Sequence, residues 1–426
     1  MRTIGLIRNG LQVLEKEPHV NSCGSFKRAS CRGHSGMGEE EEMQGFSFNA
    51  VPSLTVEWGG AQRLGEFVER HYQERKALIV TDSSLHQSGV LEQPKLSLEQ
   101  AGFKVAVFDK VVADPPENIV LECVEKAKAA GIDIVIGFGG GSSMDVAKLS
   151  AVLICSDQKL QDLYGIGKVK GKRLPLIQIP TTAGTGSEST NITILTTGET
   201  TKMGVVANKL YADRVLLDGE LTIGLPKLQT AATGIDAMVH AIEAYTGKLK
   251  KNPLSDAFAR EALRLLSANI VTACNNGHDK EARQAMLLGA NLAGQAFANS
   301  PVGAVHALAY PLGGHYHLPH GLTNALMLGP VLRFNMKAAA HLYAELGDVV
   351  GTHAKGSEIE RSKAFVEFME KLMGETGAPR HLKEVGVTDN SLALLASDAM
   401  KQTRLLINNP VEVTEADALE LYRQAF

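Results

Sequence analysis

The stretch Ile132-Asp-Ile-Val-Ile-Gly-Phe-Gly-Gly-Gly-Ser-Ser-Met-Asp145 decides the fold. Ile132–Phe138 is a short apolar run rich in β-branched residues and reads as a buried strand. Gly137–Ser143 is a glycine-rich turn, and Met144 and Asp145 open a helical stretch that reaches Ile154. Consecutive glycines let backbone approach a diphosphate, and the helix N-terminus adds free N–H groups at the positive end of a dipole. Gly139, Gly140, Gly141 and Ser142 are therefore candidates to line a phosphate. The turn differs from the usual dinucleotide fingerprint, since Ser142 replaces the final glycine of Gly-x-Gly-x-x-Gly. No Gly-Lys-Ser/Thr follows, which excludes a Walker loop.

Outward from this turn the pattern repeats. Lys76–Asp82, Lys104–Asp109 and Leu174–Ile179 read as further strands, with helical segments such as 116–130 between them. Near-continuous apolar strands separated by helices imply a parallel sheet covered on both faces. Three more β-like pieces follow, at Ile192–Thr196, Met203–Ala207 and Val215–Asp218. Residues 43–222 thus predict a doubly wound, Rossmann-like α/β domain that binds NAD(P). Beyond 222, alanine and leucine dominate and windows such as Glu281–Asn299 have helical spacing. Pro226, Pro253, Pro301, Pro311 and Pro319 read as helix starts or breaks. Residues 223–426 predict an all-α domain, and a ligand cleft is expected between the two.

The bulk numbers agree. A chain of 426 residues suits two domains. Against 47 acidic side chains stand 43 basic ones, with no basic stripe, which argues against a nucleic-acid surface. No apolar run approaches the roughly 20 residues of a membrane helix. Five cysteines without a Cys-x-x-Cys pair argue against a disulfide framework or thiolate zinc, and a reducing, cytoplasmic setting fits. Residues 1–42 read as an extension outside the fold. Organelle targeting is the second reading, weakened by Glu15, Glu17 and Glu39–Glu42. Phe46–Asn49 is strand-like.

Two other strand ends carry polar chemistry. Asp82 stands where an acid accepts from adenosine ribose hydroxyls and repels a 2′-phosphate, or where it caps a helix. Pro180-Thr-Thr-Ala-Gly-Thr-Gly-Ser187 offers hydroxyls and flexible backbone to a nicotinamide. In the second half, Asp236 and His240 share a helix face at i,i+4. Four histidines lie further on: His306, His315, His317 and His320. Spacing alone leaves open which two join the pair, and His317 with His320 at i,i+3 is one choice. One carboxylate with three imidazoles suits Fe(II) or Zn(II). Glu243 lies on the same face as Asp236, as an acceptor behind a ligand or a structural acid.

Gly-Gly-Gly-Ser-Ser-Met-Asp145-Val-Ala-Lys148, Pro180-Thr-Thr-Ala-Gly-Thr-Gly-Ser-Glu188, Ala232-Thr-Gly-Ile-Asp-Ala-Met-Val-His-Ala-Ile-Glu-Ala-Tyr245 and Gly303-Ala-Val-His-Ala-Leu-Ala-Tyr-Pro-Leu-Gly-Gly through His320-Gly321 together resemble the iron-containing, group III alcohol dehydrogenases. The resemblance runs in order from about residue 46 to the C-terminus. It implies metal ligands Asp236, His240, His306 and His320. It implies that Asp145 joins the glycines at the diphosphate, that Thr181, Thr182 and Thr185 flank the nicotinamide, and that Lys202 reaches a ribose. Asp82 matches the position that favours NAD over NADP. One departure stands out: many members carry a histidine, thought to assist proton transfer, where this chain has Tyr310. A phenol of ordinary pKa is a poor base at neutral pH.

The implied chemistry is reversible hydride transfer between a primary alcohol or small hydroxy acid and NAD(P)+, eased by a Lewis-acidic ion. The rival readings are a maleylacetate reductase-like enzyme and a 3-dehydroquinate synthase-like lyase. A homo-oligomer is expected, although no residue argues for it.

Overall fold

The computed structural model describes residues 45–198 and 201–426. The expected extension over 1–42 lies outside the described residues. Nine strands are present among them: β1 (Leu54–Val56), β2 (Lys76–Asp82), β3 (Lys104–Val111), β4 (Ile134–Gly139), β5 (Gly165–Ile166), β6 (Leu176–Pro180), β7 (Ile192–Thr197), β8 (Thr201–Val206) and β9 (Arg214–Leu217). Six of them form a sheet in the order β1-β9-β6-β4-β2-β3, all parallel.

The apolar runs explain this sheet. Every residue of β4 is buried, as a central strand covered on both faces requires. Along β2, Ala77 and Ile79 pack with Leu64, Val68 and Leu98 on one face, while Leu78 and Val80 pack with Val120, Val146 and Val152 on the other. The second of these cores continues without a break into the helical part, through Ile235, Leu263 and Leu326. Phe46–Phe426 is one compact unit.

Strand order fixes where a ligand fits. From β2 the chain moves outward to β3, whereas from β4 it moves the opposite way, to β6 and then β9. In doubly wound sheets the crevice lies beyond the carboxyl ends of the two strands where the direction reverses. Here those ends are Asp82 and Gly139.

Several boundaries differ from expectation. Phe46–Asn49 is irregular, and the first strand is Leu54–Val56, paired to β9. The β-like pieces at 192 and 203 do not join the main sheet. They pair antiparallel as β7 and β8 in a second sheet, with two-residue β5 added parallel to β8.

Six helices matter for the site: α1 (Gly141–Ile154), α2 (Lys227–Thr246), α3 (Pro253–Asn275), α4 (Lys280–Asn299), α5 (Ala304–Tyr316) and α6 (His320–Asn335). Helix α1 begins at Gly141, three residues before Met144, because the glycine-rich turn itself winds into the first turn. Pro226 and Pro319 precede helices and Pro253 opens α3, as read, but Pro311 lies inside α5. A proline costs a helix one hydrogen bond, and buried packing on both sides of Pro311 keeps α5 continuous. The break falls at His317, in left-handed conformation at φ 52°. Among the described residues no helix is long and apolar enough to cross a membrane.

A candidate metal centre beside a cofactor cleft

Helix α2 projects Asp236 and His240 from one buried face. His306 stands in the first turn of α5, and His320 is the first residue of α6. The three Nε2 atoms each lie 3.8 Å from Asp236 Oδ1. The four donor atoms all fall within 4.8 Å of one another. Of the four later histidines, the structure brings His306 and His320 to the Asp236–His240 pair. His315 is drawn away to Asp398 at 2.6 Å, and His317 sits at the helix end.

The residues around the donors hold them ready. His306 Nδ1 lies 2.6 Å from Glu243 Oε2, and Glu243 Oε1 accepts the Val305 amide at 2.7 Å. With Nδ1–H donating to the carboxylate, the lone pair is left on Nε2, the usual carboxylate–histidine–metal arrangement. His240 is stacked between the Phe297 ring at 4.3 Å and the His306 ring at 4.8 Å, and its Nδ1 is buried without a hydrogen-bond partner among the described residues.

Electrostatics keep the donors in ligating form. Burial pulls His240 down to about 3 and His320 to about 4, against the opposing pull of Asp236, so both imidazoles are neutral at pH 7. Burial alone would push the Asp236 carboxyl up. The three histidines and the Asn324 amide outweigh it and hold the group below its usual range. One carboxylate and three imidazoles converging on one point fit a borderline divalent cation such as zinc or ferrous iron. Tyr310 packs beside this cluster, its ring 5.8 Å from that of His320, against Val302 and Leu405. Burial raises its pKa, so the phenol stays protonated and is a donor rather than a base.

The second half of the site lies at the sheet's carboxyl edge. Gly139 has φ 154°, and a Cβ there would come within 2.7 Å of Ser143 Oγ. Gly140 caps α1 without a side-chain bond, which leaves the amides of Gly141, Ser142 and Ser143 free of intrahelical acceptors. These amides and the absence of side-chain bulk form an anion cradle. Thr182 faces Gly140, Thr185 faces Gly141, and the Thr181 amide donates to the Gly139 carbonyl at 3.0 Å. Asp82 accepts from the Leu85 amide at 2.9 Å and so does cap the short helix Ser83–Gln87, at the mouth of the same crevice.

Asp145 is placed differently from the glycines. Its Oδ1 accepts from Ser187 Oγ at 2.6 Å and its Oδ2 from the Ile194 amide at 2.9 Å, so it ties the 181–189 loop and β7 to α1. Lys148, fully buried one turn on, donates to Ser187 Oγ and the Ile192 carbonyl, each at 2.8 Å. Lys202 Nζ bonds Asp114 at 2.7 Å and approaches Gly313 of α5, on the metal side of the cleft.

The 181–189 loop joins the two halves. Thr185 touches Gly141, and Gly184 packs directly on Thr233 of α2, one turn before Asp236. Gly186, at φ 60°, meets the backbone of α4: a Cβ there would stand 2.6 Å from Gly294 Cα. Asn291 of α4 donates through Nδ2 to Glu188 at 2.9 Å; Lys148, Glu188 and Asn291 were not identified from sequence as parts of this support, since their partners lie on distant segments. Asn324 was missed too, although it follows His320 at i,i+4, the same spacing that singled out Asp236 and His240.

Comparison with known proteins agrees with this layout. Residues 52–219 match the iron-containing alcohol dehydrogenase family, and residues 230–426 match the C-terminal part of the Fe-containing alcohol dehydrogenase family. A long-chain-alcohol dehydrogenase of Geobacillus thermodenitrificans is 41% identical over 88% of this chain and 95% of its own length. The crystal structure of a 1,3-propanediol oxidoreductase superposes with TM-score 0.86 at 32% identity, over 90% of this chain and 100% of that one. A sulfoacetaldehyde reductase of Bifidobacterium kashiwanohense, in complex with NAD+, gives TM-score 0.81 at 28% identity over 90% and 99%. The chain belongs to the iron-containing alcohol dehydrogenase family, and is thereby an alcohol/aldehyde oxidoreductase of the iron type.

Proposed function

We propose that this chain moves a hydride reversibly between a primary alcohol or small hydroxy acid and NAD(P)+, giving the aldehyde or keto compound. One observation carries the reading: three imidazole nitrogens equidistant from one carboxylate oxygen, joined by a single loop to an anion cradle at the sheet's switch point. A divalent ion held by Asp236, His240, His306 and His320 supplies Lewis acidity, which eases loss of the hydroxyl proton.

The remaining work falls to the chain itself. Gly139–Ser142 hold the cofactor diphosphate, and Thr181, Thr182 and Thr185 orient the nicotinamide half so that carbon and ring stay in contact. Lys202 reaches a ribose hydroxyl, steadied by Asp114. Glu243 keeps the His306 proton on Nδ1, and Tyr310 keeps its own proton and shapes the pocket wall. The support for NAD over NADP is Asp82, whose carboxylate at the end of β2 repels a 2′-phosphate. Fe(II) is the proposed ion, with Zn(II) compatible with the same donors. A cytoplasmic homo-oligomer, with cofactor functions in 43–222 and metal functions in 223–426, completes the proposal.

None of the relatives described above is a maleylacetate reductase or a 3-dehydroquinate synthase. The test is anaerobic purification, elemental analysis, and NADH formation with a panel of primary alcohols, comparing wild type with His306→Ala. About one iron or zinc per chain with turnover, both lost in the variant, is the expected result. A metal-free wild type that still oxidises NADH with a keto acid would overturn it in favour of the maleylacetate reductase-like reading.

A further inference from the structure

A cavity of about 110 Å³ opens between α6, the helix Glu358–Thr376 and the C-terminal helix Glu415–Ala425. None of the four candidate metal donors lines it. Its walls are apolar: Ile235 of α2, Leu326 and Pro330 of α6, Met373 and Ala378, all buried. Gly329 keeps side-chain bulk out of the opening. A Cβ there would stand 3.4 Å from Glu370 Oε1 and 3.6 Å from Arg333 Nη1.

Charge gathers at the mouth. Arg333, Arg380 and His381 are exposed there, against a single carboxylate, Glu370. Arg333 donates through Nη1 to Glu370, so these two charges offset each other. Arg380 gives its backbone amide to Glu384 at 3.2 Å, while its guanidinium forms no ion pair among the described residues. That guanidinium lies over Gly374, where a Cβ would stand 3.6 Å from Arg380 Nη1. The mouth thus has one guanidinium in excess, and a guanidinium pairs best with a carboxylate, through two parallel N–H donors. An apolar body behind a cationic rim suits an anion with a hydrocarbon tail. A compact inorganic anion would leave the walls uncovered, and a plain hydrocarbon would leave Arg380 without a partner. An apolar cavity of about 150 Å³ takes a benzene, so the smaller space here takes a chain of about four carbons.

We infer that this cavity is a binding site for a short-chain aliphatic carboxylate. The chain lies against Ile235, Leu326 and Met373, and the carboxylate meets Arg380 at the mouth. The inference rests on neither the metal reading nor the hydride-transfer reading.

Pentanoate is the probe, with acetate and inorganic phosphate beside it, each titrated into the full-length protein and followed by ligand-detected NMR. Each buried methylene adds roughly fourfold in affinity, so pentanoate is expected to bind at least about tenfold more tightly than acetate. Phosphate is expected to bind as weakly as acetate. Arg380→Gln removes the excess guanidinium and should weaken pentanoate at least about fivefold. Gly329→Leu places a side chain in the opening and should weaken it at least about tenfold, with far-ultraviolet circular dichroism to establish folding. If Gly329→Leu does not fold, Arg380→Gln at the exposed mouth still decides. His306→Ala, which disrupts the metal centre, should bind pentanoate within about twofold of wild type. Loss of binding in His306→Ala would overturn the inference, since the acid would then sit at the metal centre. So would pentanoate binding no tighter than acetate or phosphate, or affinity unchanged in Arg380→Gln. The expected order of affinities in a protein without alcohol turnover supports this site while removing the dehydrogenase reading.

Discussion

Glu243 spends each carboxylate oxygen on a different N–H, one on the His306 ring and one on the Val305 backbone. Glutamine has only one such oxygen, so Glu243→Gln must set an NH2 group against one of these donors. We expect metal affinity to fall roughly tenfold, within the range for partners behind a ligand, measured by chelator competition; unchanged affinity would show the contact to be structural only. Asp82 caps a helix and, in the proposed function, also selects the cofactor. Asp82→Gly should lower stability by less than about 1 kcal/mol through the lost cap and raise the NADP+/NAD+ ratio of kcat/KM; a ratio that does not move removes Asp82 from cofactor choice.

The buried imidazoles also set a pH dependence. In the unfolded chain they take up protons near 6.5, but in the fold only near 3 for His240 and 4 for His320. The unfolded state binds more protons in between, so the metal-free protein loses stability as pH falls from about 6.5 towards 4. Thermal melts of metal-free protein across that range should slope accordingly, and a flat profile would contradict it. At this scale the sequence was informative wherever neighbours share a helix, as Asp236 and His240 do. Spacing was silent on His306 against His315 or His317, and only the family resemblance made that choice, because it depends on how α5 and α6 cross α2.

Among the elements, the 181–189 loop is closely packed at Gly184 and Gly186. Gly186→Ala adds a methyl at positive φ against the backbone of α4, with no flexible side chain to yield. A loss of about 2 kcal/mol is expected from overpacking of this kind, read by urea unfolding, together with a raised KM for the cofactor. Full stability in that variant would mean the loop can lift off α4 freely. The long strands were legible because a sheet covered on both faces demands continuous apolar runs, as in β2 and β4. Two-residue β5 carries no such run, and Leu54–Val56 of β1 is too short to stand out beside Phe46–Asn49. Pro311 misled for a related reason: local propensity marks a break, but packing around α5 overrides it.

For the whole molecule, the core that backs the sheet continues into the helices that carry the candidate metal donors. Chelation should therefore shift one cooperative unfolding transition of residues 46–426 downward rather than melt the helical part alone. A ligand at roughly 100 times its Kd stabilises by about 2.7 kcal/mol, so scanning calorimetry with and without chelator has a readable difference. Two separate transitions would contradict the continuous core. The order of α/β then α was legible from composition, whereas the switch point between β2 and β4 emerged only with strand order.

The edge position of β1 has a consequence for synthesis. Among the described residues its one strand partner is β9, and Ser53 waits for Arg214, 161 residues later, to make a 2.8 Å hydrogen bond. At the usual pace of roughly 5–20 residues per second, a ribosome delivers that partner about ten seconds or more after β1 has emerged. For that interval the first strand is an unpaired ribbon on the nascent chain. The sheet closes last at the end that was made first, so a chain truncated before Arg214 leaves this edge unfinished.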